Sequence, residues 1–144
     1  MEELHSGVIH IGYYTADLDA TLHFYCDILG FELTRQGMVP EDEPEDSPRY
    51  PLRGKPFMTN LTDKKSGMVL EFFSPMPGRE PPVDNANRIG CSHICLGVKD
   101  LQATVEVLRK EGVRIDSAPE PGQRGPAWIR DPDGNRIELM PERR

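Results

Sequence analysis

The sequence predicts an α+β fold of two tandem modules, each with the order strand, helix, strand, strand, strand. The main observation is an internal repeat, in which His10-Ile11 and Asp17-Leu18 reappear 83 residues later as His93-Ile94 and Asp100-Leu101. Each copy begins with an alternating stretch that is typical of a strand, followed by an apolar stripe at helical spacing. One half of the chain therefore repeats the architecture of the other.

A second repeat closes each module. Leu70-Glu71-Phe72 resembles Ile137-Glu138-Leu139, now 67 residues apart. The two offsets differ by 16 residues, which is close to the length of an acidic, proline-rich segment at residues 37–56. Because such a segment neither packs a core nor pairs as a central strand, we interpret it as an insertion in module one. Either a surface loop or a lid over a pocket fits this composition.

Size and composition restrict the class of protein. The 144 residues, with 37% hydrophobic and 28% charged side chains, predict a single domain over residues 1–144. A net charge of −7 argues against nucleic-acid binding, and no apolar run reaches the roughly 20 residues that cross a membrane. Three cysteines, without the spacing of a disulfide framework or a zinc finger, predict a reduced, cytoplasmic protein.

Module one, about residues 7–74, begins with a predicted strand at Gly7 to Tyr14. Asp17 is a suitable N-cap for a helix from Leu18 to about Ile28, which Gly30 would end. The remaining predicted strands of this module are Phe31 to Arg35, Phe57 to Leu61 and Met68 to Phe73, the last two joined by a turn at 63–67.

Residues 75–88 carry four prolines and predict a linker. Module two, about residues 89–141, then repeats the order, with Asp100 as the predicted cap of a helix that Gly112 ends. Its predicted elements are strands at Cys91 to Val98, Val113 to Ile115, Ala127 to Arg130 and Arg136 to Met140, and a helix at Leu101 to Glu111.

The repeated histidines and glutamates predict a metal site. Suppose that His10, Glu71, His93 and Glu138 face one side of the sheets. The apolar residues next to them in each strand, such as Ile9 beside His10 and Leu139 beside Glu138, then face the helices on the other side. A mixture of nitrogen and oxygen donors suits one divalent Zn, Ni, Co, Mn or Fe ion, and four protein ligands leave positions free for a substrate. Taken singly, a histidine in a strand is more often a core or surface residue than a metal ligand, and Glu71 could equally lie on an exposed edge strand. Their equivalent placement in both modules favours the metal site.

Several segments resemble the vicinal oxygen chelate superfamily, which includes glyoxalase I, bleomycin-resistance proteins and extradiol dioxygenases. The resemblance covers about residues 7 to 141, apart from the insertion. The segments that carry it are Val8 to Ile11, Asp17-Leu18, Phe24 to Leu33, Cys91 to Ile94 and, most specifically, Arg130 to Leu139. It implies paired βαβββ modules that curl around a metal, with one histidine and one glutamate from each.

The closest match within the superfamily is to glyoxalase I-like lyases and methylmalonyl-CoA epimerase. The resemblance implies proton transfer next to a carbonyl through a metal-stabilised enediolate, with Glu138 as the base and Glu71 as second candidate. It also implies a small carbonyl or thioester substrate and a homodimer. Candidate pocket residues are Tyr14, Phe73, Arg124, Trp128 and Met140. Two alternatives stay open, an Fe(II)-dependent dioxygenase and a metal-independent protein that binds a small molecule.

Overall fold

The computed structural model describes residues 4–5, 7–38, 57–74 and 90–142. The chain divides into two compact units, Met1–Arg79 (unit 1) and Glu80–Arg144 (unit 2). Each unit holds one four-stranded mixed sheet and one helical region. The predicted α+β class and the strand, helix, strand, strand, strand order of both modules are therefore confirmed.

Unit 1 has the strand order β1-β4-β3-β2, with β1 and β4 parallel and the other pairs antiparallel. Asp17 caps the helix as predicted, since its side chain accepts a hydrogen bond from Ala20 N at 3.0 Å. The elements are β1 (His10–Tyr14), α1 (Leu18–Leu22) continued by a π-helical segment (His23–Ile28), β2 (Glu32–Met38), β3 (Phe57–Thr62) and β4 (Val69–Ser74).

Unit 2 repeats this topology as β5-β8-β7-β6, again with the first pair parallel and the others antiparallel. Asp100 caps its helix through a 3.0 Å hydrogen bond from Ala103 N. The elements are β5 (Ile94–Val98), α2 (Leu101–Lys110), β6 (Ile115–Ser117), β7 (Ala127–Arg130) and β8 (Arg136–Pro141). Within the described part of the chain, neither helix is long and apolar enough to cross a membrane.

Both strands that follow the helices begin later than the sequence predicts. Phe31 N donates to Tyr25 O at 2.8 Å, and Val113 N donates to Leu108 O at 2.9 Å. These residues still close the end of the helix, so β2 begins at Glu32 and β6 at Ile115. β2 also runs into the predicted insertion, because it pairs with β3 as far as Met38. The rest of the predicted insertion, and the predicted linker, lie outside the described residues.

The two histidine strands are shorter than predicted. β1 begins at His10 rather than Gly7, and β5 begins at Ile94, so His93 immediately precedes its strand. Ile9 was expected to pack under the helix, but it is 78% exposed because it lies before the first ladder pair of β1.

The predicted core faces are otherwise confirmed at the two glutamate strands, where alternate residues are fully buried. Leu70 and Phe72 flank Glu71, and Ile137 and Leu139 flank Glu138. In unit 1 the π-helical segment buries two consecutive residues, Phe24 and Tyr25, because its wider turn shifts the buried stripe of the helix. In unit 2 the α-helix buries residues at regular spacing: Leu101, Val105 and Leu108.

Candidate metal centre

In unit 1, one histidine and one glutamate meet on the sheet face opposite the core. Gly12 of β1 lies opposite Glu71 of β4, and His10, two residues earlier, shares the face of Gly12. His10 Nε2 is 3.4 Å from Glu71 Oε1. The Glu71 side chain is only 13% exposed. Because burial of an unpaired charge is costly, this carboxylate requires a cation or a hydrogen-bond donor beside it.

The same arrangement recurs in unit 2. Cys95 of β5 lies opposite Glu138 of β8, and His93 precedes Cys95 by two residues. His93 Nε2 is 3.4 Å from Glu138 Oε2, and the Glu138 side chain is 17% exposed. The repeat in the sequence therefore gives two His–Glu pairs of equal spacing, each formed by corresponding atoms.

His93 has two further contacts that fix its ring. Its Nδ1 atom lies 2.6 Å from Ser92 Oγ, which leaves Nε2 directed to Glu138. The Trp128 ring meets the His93 ring edge-on, with centroids 4.9 Å apart and an interplanar angle of 80°. Metal-binding histidines commonly use the second ring nitrogen in this way, because the hydrogen bond fixes the tautomer and the ring orientation.

Each pair has the chemistry and spacing of two neighbouring ligands of one ion. Ligands bound at about 2.1 Å lie roughly 3.0–3.4 Å apart in octahedral or tetrahedral geometry, whereas an ordinary N–H···O hydrogen bond is about 2.9 Å. A Cβ atom added at Gly12 would meet nothing within 4 Å, so there is open space beside Glu71. Within the described ranges, no group of three or more histidine, cysteine or acidic side chains gathers closely enough to hold a metal. Each unit thus offers a two-donor pair that fits a divalent cation.

The fold and these pairs agree with the family comparison. The model of the glyoxalase/bleomycin resistance protein/dioxygenase superfamily matches residues 7–139. The chain belongs to this superfamily. The resemblance given by the sequence motifs is therefore confirmed over both modules.

Relatives in the superfamily include named lyases. A probable lactoylglutathione lyase of Synechocystis is 30% identical over 136 residues, covering 92% of this chain and 93% of the relative. A probable chloroplastic lactoylglutathione lyase of Arabidopsis thaliana is 28% identical, but the chain spans only 35% of its length. Among solved structures, the trypanothione-dependent glyoxalase I of Leishmania major has a TM-score of 0.72 and 30% identity, covering 96% of this chain and 88% of that one.

Four of the five candidate pocket residues lie beside the His–Glu pairs of this superfamily member. Tyr14 and Phe73 are opposite each other on the face of His10 and Glu71, with ring centroids 5.7 Å apart. Met140 follows Glu138 by two residues on β8 and is 38% exposed, and Trp128 contacts His93. The fifth, Arg124, is exposed in the loop before β7. Among the described residues, Arg124 has no hydrogen bond or salt bridge to either pair.

The sequence analysis missed two polar residues on these faces. Asn60 of β3 lies opposite Glu71, and its Oδ1 atom is buried without a hydrogen-bond partner among the described residues. Arg136 lies two residues before Glu138 on β8, and its guanidinium covers the Trp128 ring at 4.1 Å from the centroid. The two-residue spacing from Glu138 was a sufficient signal for Arg136. Asn60 depends on the register between strands, for which the sequence holds no direct signal.

Glu138 affects the thiol that lies opposite it in the strand pair, Cys95. Burial, together with the charge of Glu138 and a hydrogen bond to its carboxylate, raises the pKa of the Cys95 thiol above the ordinary value. The protonated form of the thiol is therefore favoured, and in this form it can act as a weak hydrogen-bond donor.

Proposed function

We propose that this protein is a metal-dependent, glyoxalase-like lyase or isomerase that transfers a proton next to a carbonyl group. The observation that carries the proposal is the duplicated His–Glu pair, with the same Nε2-to-carboxylate separation of 3.4 Å in each unit. His10, Glu71, His93 and Glu138 would together hold one divalent ion, of Zn, Ni, Co, Mn or Fe.

The relatives support the lyase class. The Synechocystis relative is named a probable lactoylglutathione lyase and aligns over nearly its whole length. We therefore propose a hemithioacetal of a small 2-oxoaldehyde as the first substrate to test, with a thioester epimerisation as the second. Both reactions begin by removing a proton from a carbon next to a carbonyl.

The side chains then have separate tasks. A bound divalent cation would supply Lewis acidity toward the carbonyl oxygen. Glu138 removes the carbon-bound proton and returns it, and Glu71 is the second candidate for this role. The protonated Cys95 thiol, opposite Glu138 in the strand pair, would orient this carboxylate by donating a hydrogen bond to it. Tyr14 and Phe73, packed on each other, form an apolar wall that limits the access of water.

Metal analysis combined with turnover tests the proposal. The full-length chain is loaded with Zn or Ni, its metal content is measured, and it is assayed with the methylglyoxal–glutathione hemithioacetal and with a 2-substituted malonyl thioester. We expect about one metal ion per chain and turnover of one substrate. His10→Ala should lose bound metal, and Glu138→Gln should lower kcat by about 100-fold or more, because a positioned base contributes at least this factor.

His23→Ala is the matched control. His23 is exposed on the helix and pairs with Asp27 at 2.9 Å, away from the sheet faces that carry the His–Glu pairs. This variant should keep both metal and activity. Protein that binds no metal, or a His10→Ala variant that keeps full activity, would contradict the proposal. Oxygen consumption that survives Glu71→Ala would instead indicate the dioxygenase.

Two further predictions concern the state of the protein in the cell. A homodimer follows from the resemblance, and a cytoplasmic location follows from the sequence. Light scattering of the purified chain tests the first, and both stay predictions.

A further inference from the structure

Two arginines lie directly opposite each other on neighbouring strands of unit 2. Arg130 of β7 pairs in register with Arg136 of β8. Like charges directly opposite in a sheet destabilise it unless each has its own counter-charge.

Arg130 is fully compensated. Its side chain is 8% exposed, its Nε donates to Asp116 Oδ2 at 2.6 Å, and its Nη1 donates to Gly134 O at 2.9 Å. Asp116 also pairs with Arg114 at 3.1 Å. Asp116 is thus shared by Arg114 and Arg130.

Arg136 lacks such compensation. Its Nε is buried and has no hydrogen-bond partner, and no salt bridge to it occurs among the described residues. Its one described side-chain contact is with Trp128, whose ring lies 4.1 Å from the guanidinium carbon. Stacking on an indole satisfies the face of a guanidinium but not its in-plane N–H groups. A buried N–H without a partner is costly, so this group is suited to an anion that arrives with a ligand.

The position of Arg136 relates it to the candidate metal centre. The same Trp128 ring also contacts His93, and Arg136 is two residues from Glu138 on one face of β8. Two residues along a strand span about 6.7 Å. One small ligand could therefore reach both positions, with its anionic group at Arg136 and another group, only a few bonds away, at the His93–Glu138 pair.

We propose that Arg136 binds a carboxylate of the substrate, so that the preferred substrates are carbonyl compounds with a carboxylate a few bonds from the reacting carbon. This inference rests on the proposed function. A planar guanidinium binds a carboxylate through two parallel N–H···O bonds, and Trp128 holds it in the orientation that this requires.

The test compares a ligand that carries a free carboxylate with its uncharged methyl ester. S-(2-oxopropyl)-N-acetylcysteine and its methyl ester are titrated into the full-length, zinc-loaded chain by calorimetry. The acid should bind about tenfold more tightly than the ester, which corresponds to about 1.4 kcal/mol. Arg136→Gln should remove this preference. Arg109→Gln, which removes an exposed arginine from the last turn of α2, should keep it.

The hemithioacetals of methylglyoxal with N-acetylcysteine and with its methyl ester provide the kinetic readout. Arg136→Gln should raise KM for the acid about tenfold and leave kcat within about threefold, as expected for loss of a uniform binding interaction. Arg136→Lys keeps the charge without the planar pair of N–H groups, and should fall between the wild type and Arg136→Gln. It also serves if Arg136→Gln does not fold.

Three results would overturn the inference. The first is a wild type that binds acid and ester equally. The second is an Arg136→Gln variant that keeps the wild-type ratio, and the third is an Arg136→Gln variant that loses both ligands equally, as a purely structural residue would. An acid preference without any turnover would support the anion site and refute the proposed function. Turnover without an acid preference would support the proposed function and refute the anion site.

Discussion

Cys95 and Glu138 lie directly opposite each other in the parallel pair of β5 and β8, and burial together with the charge of Glu138 raises the pKa of the Cys95 thiol. In unit 1 the corresponding position opposite Glu71 is Gly12, which offers no side chain. The two glutamates of the repeat therefore differ in their neighbours. Glu138 has a thiol opposite it, whereas Glu71 borders open space. This difference favours distinct tasks for two residues that the repeat makes formally equivalent.

The contact between Cys95 and Glu138 predicts an effect on activity. Cys95→Ala removes the thiol opposite Glu138 and should lower kcat/KM by up to about tenfold, because an ordinary hydrogen bond contributes about 0.5–1.5 kcal/mol. Cys95→Ser keeps a donor and should retain most activity. Because residue 95 is exposed, urea titration should show a change in unfolding free energy of less than about 1 kcal/mol for either variant. Equal losses in both variants would refute the role of the hydrogen bond.

The open space at Gly12 predicts that a larger side chain there will block the site. Gly12→Val places its methyl groups opposite Glu71, where an added Cβ meets nothing within 4 Å. We expect kcat/KM to fall by about tenfold or more, with the thermal midpoint nearly unchanged, since no atom is displaced. Gly37→Val is the control, because Gly37 is equally open but lies on β2 at the opposite edge of the same sheet. Similar activity in the two variants would show that the space is not used.

The turn between β3 and β4 depends on one carboxylate. Asp63 accepts hydrogen bonds from Ser66 Oγ at 2.6 Å, Ser66 N at 3.1 Å and Lys65 N at 3.2 Å. The Ser66 hydroxyl, followed by these backbone groups, lowers the pKa of Asp63 below its ordinary value of 3.8. The folded state therefore favours the charged form of this residue.

This lowered pKa predicts the pH dependence of stability. Because the folded pKa lies below the unfolded one, the contribution of Asp63 is complete above the unfolded value of 3.8 and declines as the pH falls through the folded pKa. Asp63→Ala should lower the unfolding free energy by about 1 kcal/mol at pH 7, as expected for lost turn hydrogen bonds. The difference from wild type should shrink below pH 3.8 in urea titrations. A difference that is constant from pH 7 to acid pH would contradict this explanation.

Local features were predictable from the sequence because their causes are local. Asp17 and Asp100 cap their helices as expected, since an aspartate side chain reaches the N–H three residues ahead. Gly30 and Gly112 adopt the positive φ angles, +81° and +73°, that end a helix. The bounds of β7 were predicted to the residue. The ends of β1, β2, β5 and β6 were not, because ladder pairing and the closing bonds of the helices decide them.

The sequence by itself determined the two-module α+β fold, the superfamily and the face of each strand that carries the repeated histidine and glutamate. Alternation along a strand and repetition along a chain depend only on the order of the residues, so they can be read directly from the sequence. Only the tertiary structure decided which residues lie beside these pairs. Asn60 and Cys95 come next to the two glutamates through the register between strands, and Arg136 has no salt bridge among the described residues, whereas Arg130 pairs with Asp116. Such contacts join residues that are far apart in sequence, and the packing of the whole sheet is what selects them.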